Sequence, residues 1–507
     1  MAIDGRNTPA LSALVPFLSP VLRAVAAGAG PGGRTCLIDA GSGPERAAHA
    51  LAIVRSLAEA PGPHRLLARV LREVLFETDR DLGDGTARVA LLWGGLVRAG
   101  ARALAAGVDA EPLAAELDRQ GACLSAALAV ADQESATSPA AIAAVAESAG
   151  ATPDVAAAIS AMLTRVGADG AAEIVEGRGH EIQLQSGDGF LFDATPASPA
   201  FAVADLDPAF VLVVDERVEN LGPLVPLLEG FATRGKALVI VARDVSGPAL
   251  RALVRNHKDN GLRAIALRPA AVGQAAADVL EDLALATGAT LVADRHGTTL
   301  ARLRPAMLGR CGHFAFASGL AVLRDPAGDG SALARRRALL LAEAEQQKFL
   351  PLDRERLQLR AARLHGAWAR LALGGDDAPR RVETARRALA SAHSALRGGT
   401  VAGGGVALVQ VFDSLPKDRS VETNPAAAAA TQVMAAGVAT LVHGLARGDL
   451  MRQVPVGIPA GGLGRTLRFD RHAEPALLDP LPLTRSVLQR ALSGAITLLR
   501  SGAVIGA

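Results

Sequence analysis

The spacing of the apolar residues changes twice along the chain, and no other feature of the sequence constrains the fold as strongly. Near the N-terminus, and again after Gly399, apolar residues recur at the spacing of amphipathic helices. Between residues 190 and 365 they form near-continuous runs, as at 210–214 and 237–241, with helical stretches between the runs. Such runs predict parallel strands covered by helices on both faces of a sheet. We therefore expect a helical domain built from both ends of the chain, with an α/β domain inserted between them.

Glycines and prolines divide the helical patterns, and short apolar or alternating runs indicate further strands. The predicted helices in the first third cover 8–28, 45–60, 64–79, 84–107 and 110–130, and the additional predicted strands cover 36–38, 172–175, 181–185, 264–267 and 290–292. The charged helical stretch 332–364 is interpreted as a solvated helix face rather than a nucleic-acid patch.

Charge and aromatic content exclude some partners. The 507 residues include 53 Lys+Arg and 51 Asp+Glu, for a net charge of +2, so no strong overall field attracts polyanions. The chain has no tyrosine, and only 3% of its residues are aromatic. Binding of single-stranded nucleic acid usually depends on aromatic side chains on which bases stack. We therefore expect no nucleic-acid partner.

The cysteines and the apolar segments indicate a cellular location. Cys36, Cys123 and Cys311 lie far apart and form no CxxC pair, which favours free thiols in a reducing compartment over disulfides or a zinc site. The first residues lack the basic start and apolar run of a signal peptide. The most apolar stretch, 425–442, is rich in alanine and glycine, which favours a packed core helix over a membrane span. We expect a cytoplasmic protein with no membrane partner.

Three glycine-rich segments, at 28–33, 84–86 and 401–407, lie next to predicted helices. Glycines let backbone amides approach a phosphate group, and helix N-termini favour anions. Each segment alone is also typical of a turn, a helix cap or a close helix contact. Neither GxxxxGK[ST] nor a strand–GxGxxG–helix unit is present. From the residues alone, the chain is a multi-domain α/β protein for which nucleotide binding remains open.

The order of these segments resembles the GroEL-type (group I) chaperonins along nearly the whole chain. Residues 29–34 (AGPGGR) resemble the first phosphate loop of that family, LGPKGR, and residues 83–86 (GDGT) resemble its GDGTT element. Residues 401–408 (VAGGGVAL) are identical to the corresponding family segment, and LDP at 478–480 with TRS at 484–486 resembles the segment near the family's end.

The resemblance implies a multi-domain α/β fold with a mostly helical equatorial domain, a small intermediate domain and an inserted α/β apical domain. The expected segments are 1–132 and 398–507 (equatorial), 133–188 and 367–397 (intermediate), and 189–366 (apical). It also implies ATP and Mg²⁺ as cofactors and unfolded proteins as partners. A co-chaperonin is a further expected partner, and the expected assembly is a homo-oligomeric double ring or a mixed ring with another chaperonin.

The resemblance assigns a nucleotide site and a client-binding groove. The implied nucleotide-binding residues are Gly30, Pro31, Asp84, Gly85, Thr86, Gly404 and Asp479, with Asp84 as the metal ligand and Asp479 near the ribose. The implied client-binding residues are Phe201, Val225, Leu228, Leu250 and Val254, with Arg255 at a position that is aliphatic in the family. Ordinary core packing is the alternative interpretation of the apolar set.

The departures from the family pattern fall on the nucleotide site. The position of the family's water-orienting aspartate is Arg387 in an ungapped alignment or Thr384 in a gapped one, and Ala50 replaces a second aspartate. The hydroxyl residues that follow Thr86 in the family are Ala87 and Arg88 here. We therefore expect weakened ATP binding, slow or absent hydrolysis, and no catalytic residue. The alternative is that Asp376 or Asp377 supplies the missing carboxylate.

Two functions follow from this reading. The first is a chaperonin-like chaperone subunit that binds unfolded polypeptide and assists its refolding. The second is a non-hydrolysing paralogue that acts as a structural or partner-specific interaction subunit. Outside the inherited site the sequence has no catalytic constellation, which argues against a conventional metabolic enzyme.

Overall fold

The protein is described here from a computed structural model. The structure describes residues 9–30, 33–39, 44–47, 49–60, 62, 64–130, 138–177, 179, 181–347, 351–415, 424–445 and 477–501. The chain forms two compact units. Unit 1 comprises Met1–Thr164, Ile174–Gln183 and Ala372–Ala507, and unit 2 comprises Arg165–Glu173 and Leu184–Leu371.

Unit 1 is mostly helical and contains segments from both ends of the chain. Its helices are α1 (Pro9–Gly28), α2 (Ala50–Glu59), α3 (Arg65–Leu82), α4 (Thr86–Ala105), α5 (Ala110–Val130), α6 (Pro139–Ser148), α13 (Ala378–Gly398), α14 (Val406–Ser414), α15 (Pro425–Leu445) and α16 (Leu481–Leu499). Two antiparallel pairs of short strands accompany them: β1 (Cys36–Asp39) with β2 (Pro44–Ala47), and β13 (Thr400–Ala402) with β14 (Leu478–Pro480).

Helix α4 lies at the centre of unit 1. It packs against α1, α15 and α16, and most of its residues are buried, including Trp93. Glycine allows α4 and α15 to approach closely, since a Cβ atom on Gly95 would lie 2.8 Å from the Cα of Gly437. Helix α15 is long and apolar enough to cross a membrane, but 56% of its apolar window is buried inside the protein. It is therefore packed as a core helix of unit 1, as the sequence predicts.

Four elements lie where the chain passes between the units: α7 (Pro153–Val166), β3 (Ala171–Glu176), β4 (Ile182–Asp188) and β12 (Ala367–Leu373).

Unit 2 is built on a seven-stranded sheet in the order β11-β5-β9-β8-β7-β10-β6. The strands are β5 (Phe190–Pro196), β6 (Ala204–Leu206), β7 (Ala209–Val218), β8 (Ala237–Val245), β9 (Ala264–Pro269), β10 (Gly309–Ala317) and β11 (Leu320–Pro326), and the helices are α8 (Val225–Thr233), α9 (Gly247–Asp259), α10 (Gly273–Thr287), α11 (Gly330–Gln346) and α12 (Pro351–Arg363). Strands β7, β8 and β9 are parallel neighbours, and the remaining pairings are antiparallel. The prediction of parallel central strands joined by helices is therefore confirmed.

Two predicted elements differ from the structure. Residues 45–47 were expected at the start of a helix but belong to β2, because they pair with β1 in an antiparallel hairpin whose register joins Cys36 to Ala47. Residues 290–292 were expected to form a strand, but Val292 makes only an isolated parallel bridge to Val214. The five domain segments given by the resemblance stay predictions, since the two units do not separate an intermediate domain.

Candidate functional site

A pocket in unit 1 lies where three helices begin. Helix α2 begins at Ala50, α4 at Thr86 and α14 at Val406, and none of them has a side-chain hydrogen bond at its N-cap. The caps of α4 and α14 are Gly85 (φ 87°) and Gly405 (φ 84°), a left-handed conformation that favours glycine. The first backbone N–H groups of a helix lack partners within the helix, so this arrangement favours an anion.

The described residues that line the pocket combine glycine-rich backbone with cationic side chains. They are Gly28, Ala29, Gly30, Gly33, His49, Ala50, Asp84, Gly85, Thr86, Ala87, Arg88, Ser148, Ala149, Gly150, Arg380, Thr384, Arg387, Gly404, Leu445 and Leu477. Three arginines therefore face one carboxylate among these residues.

Arg88 links the two aspartates that the resemblance assigns to nucleotide binding. Its Nη2 atom donates a 2.7 Å hydrogen bond to Asp479, and its Nη1 atom lies 3.7 Å from Asp84 Oδ2. Asp479 also accepts hydrogen bonds from the hydroxyl of Ser148 at 2.7 Å and from the backbone N–H of Gly404 at 2.9 Å. Both oxygens of this carboxylate are thus engaged, and Asp479 as a whole is 2% exposed.

The charge of Arg88 is stabilised by its surroundings. Burial acts to lower the pKa of the guanidinium, but the negative charges of Asp479 and Asp84 outweigh it and raise the pKa above the usual value for arginine. Arg88 therefore provides a permanent positive charge on the wall of the pocket, between the two carboxylates.

The structure brings most of the predicted nucleotide-binding residues together. Gly30, Asp84, Gly85, Thr86 and Gly404 line the pocket, whereas Pro31 lies outside the described residues. Asp479 is not among the lining residues. It lies on β14 opposite Val401 of β13 and contacts the pocket through Arg88. Its Oδ1 atom accepts two hydrogen bonds and Oδ2 accepts one, and burial of Asp479 leaves little access for the predicted contact with a ribose.

Magnesium does not fit this pocket as it is arranged. A magnesium site in proteins usually uses one or two free carboxylates together with phosphate oxygens. The guanidinium of Arg88 lies 3.7 Å from Asp84 Oδ2, the atom of the predicted metal ligand that has no hydrogen-bond partner among the described residues, and so takes up the space beside it. Within the described part of the chain, no group of three or more His, Cys, Asp or Glu residues is placed to hold a metal ion.

The positions expected to lack catalytic carboxylates do lie at the pocket. Ala50, Thr384 and Arg387 all line it, so both alignments of the missing aspartate lead to the same wall on α13. Arg387 donates hydrogen bonds to Glu383 at 3.2 Å and to the hydroxyl of Thr384 at 3.4 Å.

The alternative carboxylates, Asp376 and Asp377, lie at the start of α13 and are exposed. Asp377 pairs with Arg380 at 3.5 Å, and neither aspartate belongs to the described lining. The two therefore do not replace the missing group in this arrangement.

The sequence analysis identified Arg88 as the replacement of a hydroxyl residue but did not predict its contacts with Asp84 and Asp479 or the role of Ser148. The signal for Arg88 was present, because Asp84 and Arg88 are four residues apart at a helix start, a spacing at which ion pairs form. Ser148 lies at the end of α6 and is 331 residues from Asp479, so no local pattern connects the two.

The predicted groove residues of unit 2 differ in exposure. Helix α8 joins β7 to β8 and α9 joins β8 to β9, and right-handed crossovers place such consecutive helices on one face of the sheet. Val225 is 42% exposed and Leu228 is 9% exposed, and Leu250 and Val254 on α9 are partly buried. This face therefore offers a limited apolar surface.

Phe201 has no exposed surface. It is fully buried and makes an edge-to-face contact with the ring of His257, with the ring centres 5.3 Å apart. Core packing therefore accounts for Phe201, which cannot contact a client without rearrangement. Arg255 is exposed on α9, with 81% of its side chain accessible, so a cation lies beside the apolar positions.

Comparison with known proteins identifies the fold. No family model matches the sequence. Similar solved structures include the chaperonin gp146 from the bacteriophage EL 2 (Pseudomonas aeruginosa), crystallised in the presence of ATP-BeFx in two crystal forms. Form I matches with a TM-score of 0.57 and 19% sequence identity over 97% of this chain and 96% of that chain. Form II matches with a TM-score of 0.54 and 19% identity over 98% and 97%.

The similarity extends along nearly the full length of both chains, so it covers unit 1 and unit 2 together. The predicted multi-domain α/β architecture is confirmed at the level of the fold. The chain therefore has a GroEL-like chaperonin fold.

Proposed function

We propose that the chain is a chaperonin-type chaperone subunit that holds unfolded polypeptide and does not turn over ATP. The observation that carries this proposal is the buried link from Arg88 to Asp479 and Asp84, at the site where the fold family would place nucleotide and metal. The subunit assembles in the cytoplasm as a double ring, alone or mixed with another chaperonin, and assists refolding of its clients.

ATP is not hydrolysed because the pocket lacks a group that activates the attacking water. A water attacking a phosphate needs an acceptor within hydrogen-bond reach to orient it. Among the described residues that line the pocket, Asp84 alone carries a carboxylate, and it faces Arg88. Loss of a single preorganised catalytic group commonly lowers kcat by about 10²–10³-fold, and here two acidic positions hold other residues.

Nucleotide binding survives in a weaker form. The helix starts at Ala50 and Thr86 line the pocket and have no side-chain cap, and the N–H groups of such helix starts favour phosphate oxygens. The crystallisation of gp146 in the presence of ATP-BeFx supports nucleotide as a ligand of this fold. Weak binding without turnover fits a subunit that captures clients but does not cycle on its own.

Client capture uses the face of unit 2 formed by α8 and α9. Val225, Leu250 and Val254 provide apolar contact area there, and apolar surface binds unfolded chains without requiring a defined sequence. A co-chaperonin would use the same face.

The test is suppression of aggregation of a chemically denatured enzyme by the purified full-length protein, without nucleotide. The wild-type protein suppresses aggregation, and Val225→Asp reduces the suppression at least about threefold, because a charge opposes apolar contact. Leu341→Asp is the matched control, since Leu341 lies on α11 of the same unit and is 41% exposed, against 42% for Val225.

An absence of suppression by the wild-type protein contradicts client capture. If the chain then forms stable mixed rings with an active chaperonin, as shown by the size and mass of the assembly in light scattering, the second function applies, namely a structural or partner-specific subunit.

A further inference from the structure

The nucleotide pocket of unit 1 contains a cation of its own. Arg88 is held between Asp84 and Asp479, and its side chain is only 11% exposed. A divalent ion bound at Asp84 would have to displace a guanidinium that is fixed by its 2.7 Å hydrogen bond to Asp479. The two cations therefore compete for one place.

A polar atom of Arg88 is left without a hydrogen-bond partner. Nη1 is buried and makes no hydrogen bond among the described residues, because Asp84 Oδ2 is 3.7 Å away and beyond hydrogen-bond reach. A buried donor that is unpaired costs free energy, and a ligand oxygen in the pocket would satisfy it.

The other groups that face the pocket also select an anion. Arg380 and Arg387 line it from α13, and Ala50 and Thr86, the first residues of the uncapped helices α2 and α4, line it as well. Arginine donors and helix N-termini are the groups that recognise phosphate in proteins. The pocket has a volume of about 140 Å³, which leaves room for phosphate groups.

We propose that this pocket binds phosphate-bearing anions without a divalent metal, with Arg88 in the place that a metal ion would take. The proposal rests on the pocket being the nucleotide site of the proposed function, and it names the form in which the ligand binds. The ligand is the free anion, either inorganic phosphates or the phosphate groups of a nucleotide.

Isothermal titration calorimetry on the full-length protein tests the metal dependence directly. Inorganic phosphate, pyrophosphate and ATP are each titrated in EDTA and again in excess Mg²⁺. We expect pyrophosphate and ATP to bind in EDTA, with a Kd that rises at least about threefold when Mg²⁺ neutralises the ligand. Binding at least tenfold tighter with Mg²⁺, or no binding of any of the three ligands in either buffer, overturns the proposal.

The same titrations identify the source of the phosphate. Equal affinity for pyrophosphate and ATP indicates that phosphate groups alone are recognised, whereas tighter binding of ATP indicates a nucleotide. Either result in EDTA supports metal-free binding.

Variants of the arginines connect the affinity to the geometry. Arg88→Thr should lose at least tenfold in affinity in EDTA and become dependent on Mg²⁺, because Asp84 is then free to hold the ion. Arg387→Gln tests the proposal independently if Arg88→Thr does not fold, and it should weaken binding in EDTA at least about fivefold. Arg102→Gln is the control, because Arg102 is an exposed arginine of α4 outside the pocket lining.

Unchanged affinity in both Arg88→Thr and Arg387→Gln also overturns the proposal. Failure of metal-free anion binding is distinguishable from failure of the proposed function. Suppression of aggregation is measured without nucleotide or metal, and its variants, Val225→Asp and Leu341→Asp, are in unit 2.

Discussion

Removal of Arg88 should destabilise unit 1 substantially, because the side chain neutralises a buried carboxylate. In Arg88→Ala, the Asp479 side chain, 3% exposed, loses a charged donor at 2.7 Å, and Asp84 loses its ion-pair partner. Breaking a buried pair by removing one partner commonly costs about 3–5 kcal/mol. Asp479 keeps its hydrogen bonds from Ser148 and Gly404, so we expect the lower end, about 3 kcal/mol.

The assay is urea unfolding followed by tryptophan fluorescence. The protein has two tryptophans and no tyrosine; Trp93 is buried in α4 of unit 1, and Trp368 lies in unit 2. A Trp368→Phe background therefore reports unit 1 alone. With a slope of about 3 kcal/mol per molar urea, a loss of about 3 kcal/mol lowers the midpoint by about 1 M.

A double-mutant cycle separates the charge pair from general disruption. Adding Asp479→Asn to Arg88→Ala removes the uncompensated charge, so the double variant should be less destabilised than the sum of the single variants by about 1–3 kcal/mol. Arg102→Ala, an exposed change on the same helix, should stay within about 0.5 kcal/mol of the parent. A midpoint for Arg88→Ala within about 0.2 M of that control would refute the reasoning.

Three further predictions concern other parts of the chain. In unit 2, burial acts to raise the pKa of Glu173, but ion pairs with Arg363 and Arg370 outweigh it and lower that pKa below 4.5. The stability that this pairing contributes is present above pH 4.5 and is lost as the pH falls through the lowered pKa of Glu173. In Glu173→Gln the free energy of unfolding should therefore fall less steeply with acid pH than in the parent protein. An equally steep fall would contradict this. Cys123 is exposed, whereas Cys311 is buried with its pKa raised to about 11, so a thiol reagent at pH 8 should label Cys123 rapidly and Cys311 only after unfolding; equal rates would count against the buried position. Gly85→Ala should lower the free energy of unfolding of unit 1 by more than Gly107→Ala in the same urea assay. Both residues have positive φ, but only at Gly85 would an added Cβ lie 3.0 Å from a side chain, that of Leu483. Equal losses would show that the Leu483 side chain moves away, and would contradict the prediction.

Much of the fold could be predicted because the spacing of apolar residues and the positions of glycines are local features of the sequence. Apolar runs identified β7, β8 and β9, and helical spacing identified α3, α4 and α5. Residues 45–47 were wrongly predicted to be helical because their pairing with β1 is a tertiary contact that overrides a short helical pattern. The short run at 290–292 has the composition of a strand but only one bridge to the sheet.

The candidate site was predictable in its backbone but not in its electrostatics. Glycine-rich sequence placed Gly30, Gly85 and Gly404 at one pocket, since few other residues adopt such backbone conformations. The partners of Asp479 come from α4 and α6, far away in sequence. The state of a carboxylate depends on such partners, so the change from a ligand-binding aspartate to a buried ion pair was visible only in three dimensions.

The central claim is that this protein has a chaperonin fold but does not hydrolyse ATP. The most direct test is to measure phosphate release from Mg-ATP by the purified protein, with and without denatured client. We predict no release above a protein-free blank in either case, because Asp84 is the one carboxylate among the described lining residues and the cationic guanidinium of Arg88 lies 3.7 Å from it. Client-stimulated release that approaches about 1 s⁻¹ per subunit, the lower end of ordinary enzyme turnover, would contradict the account.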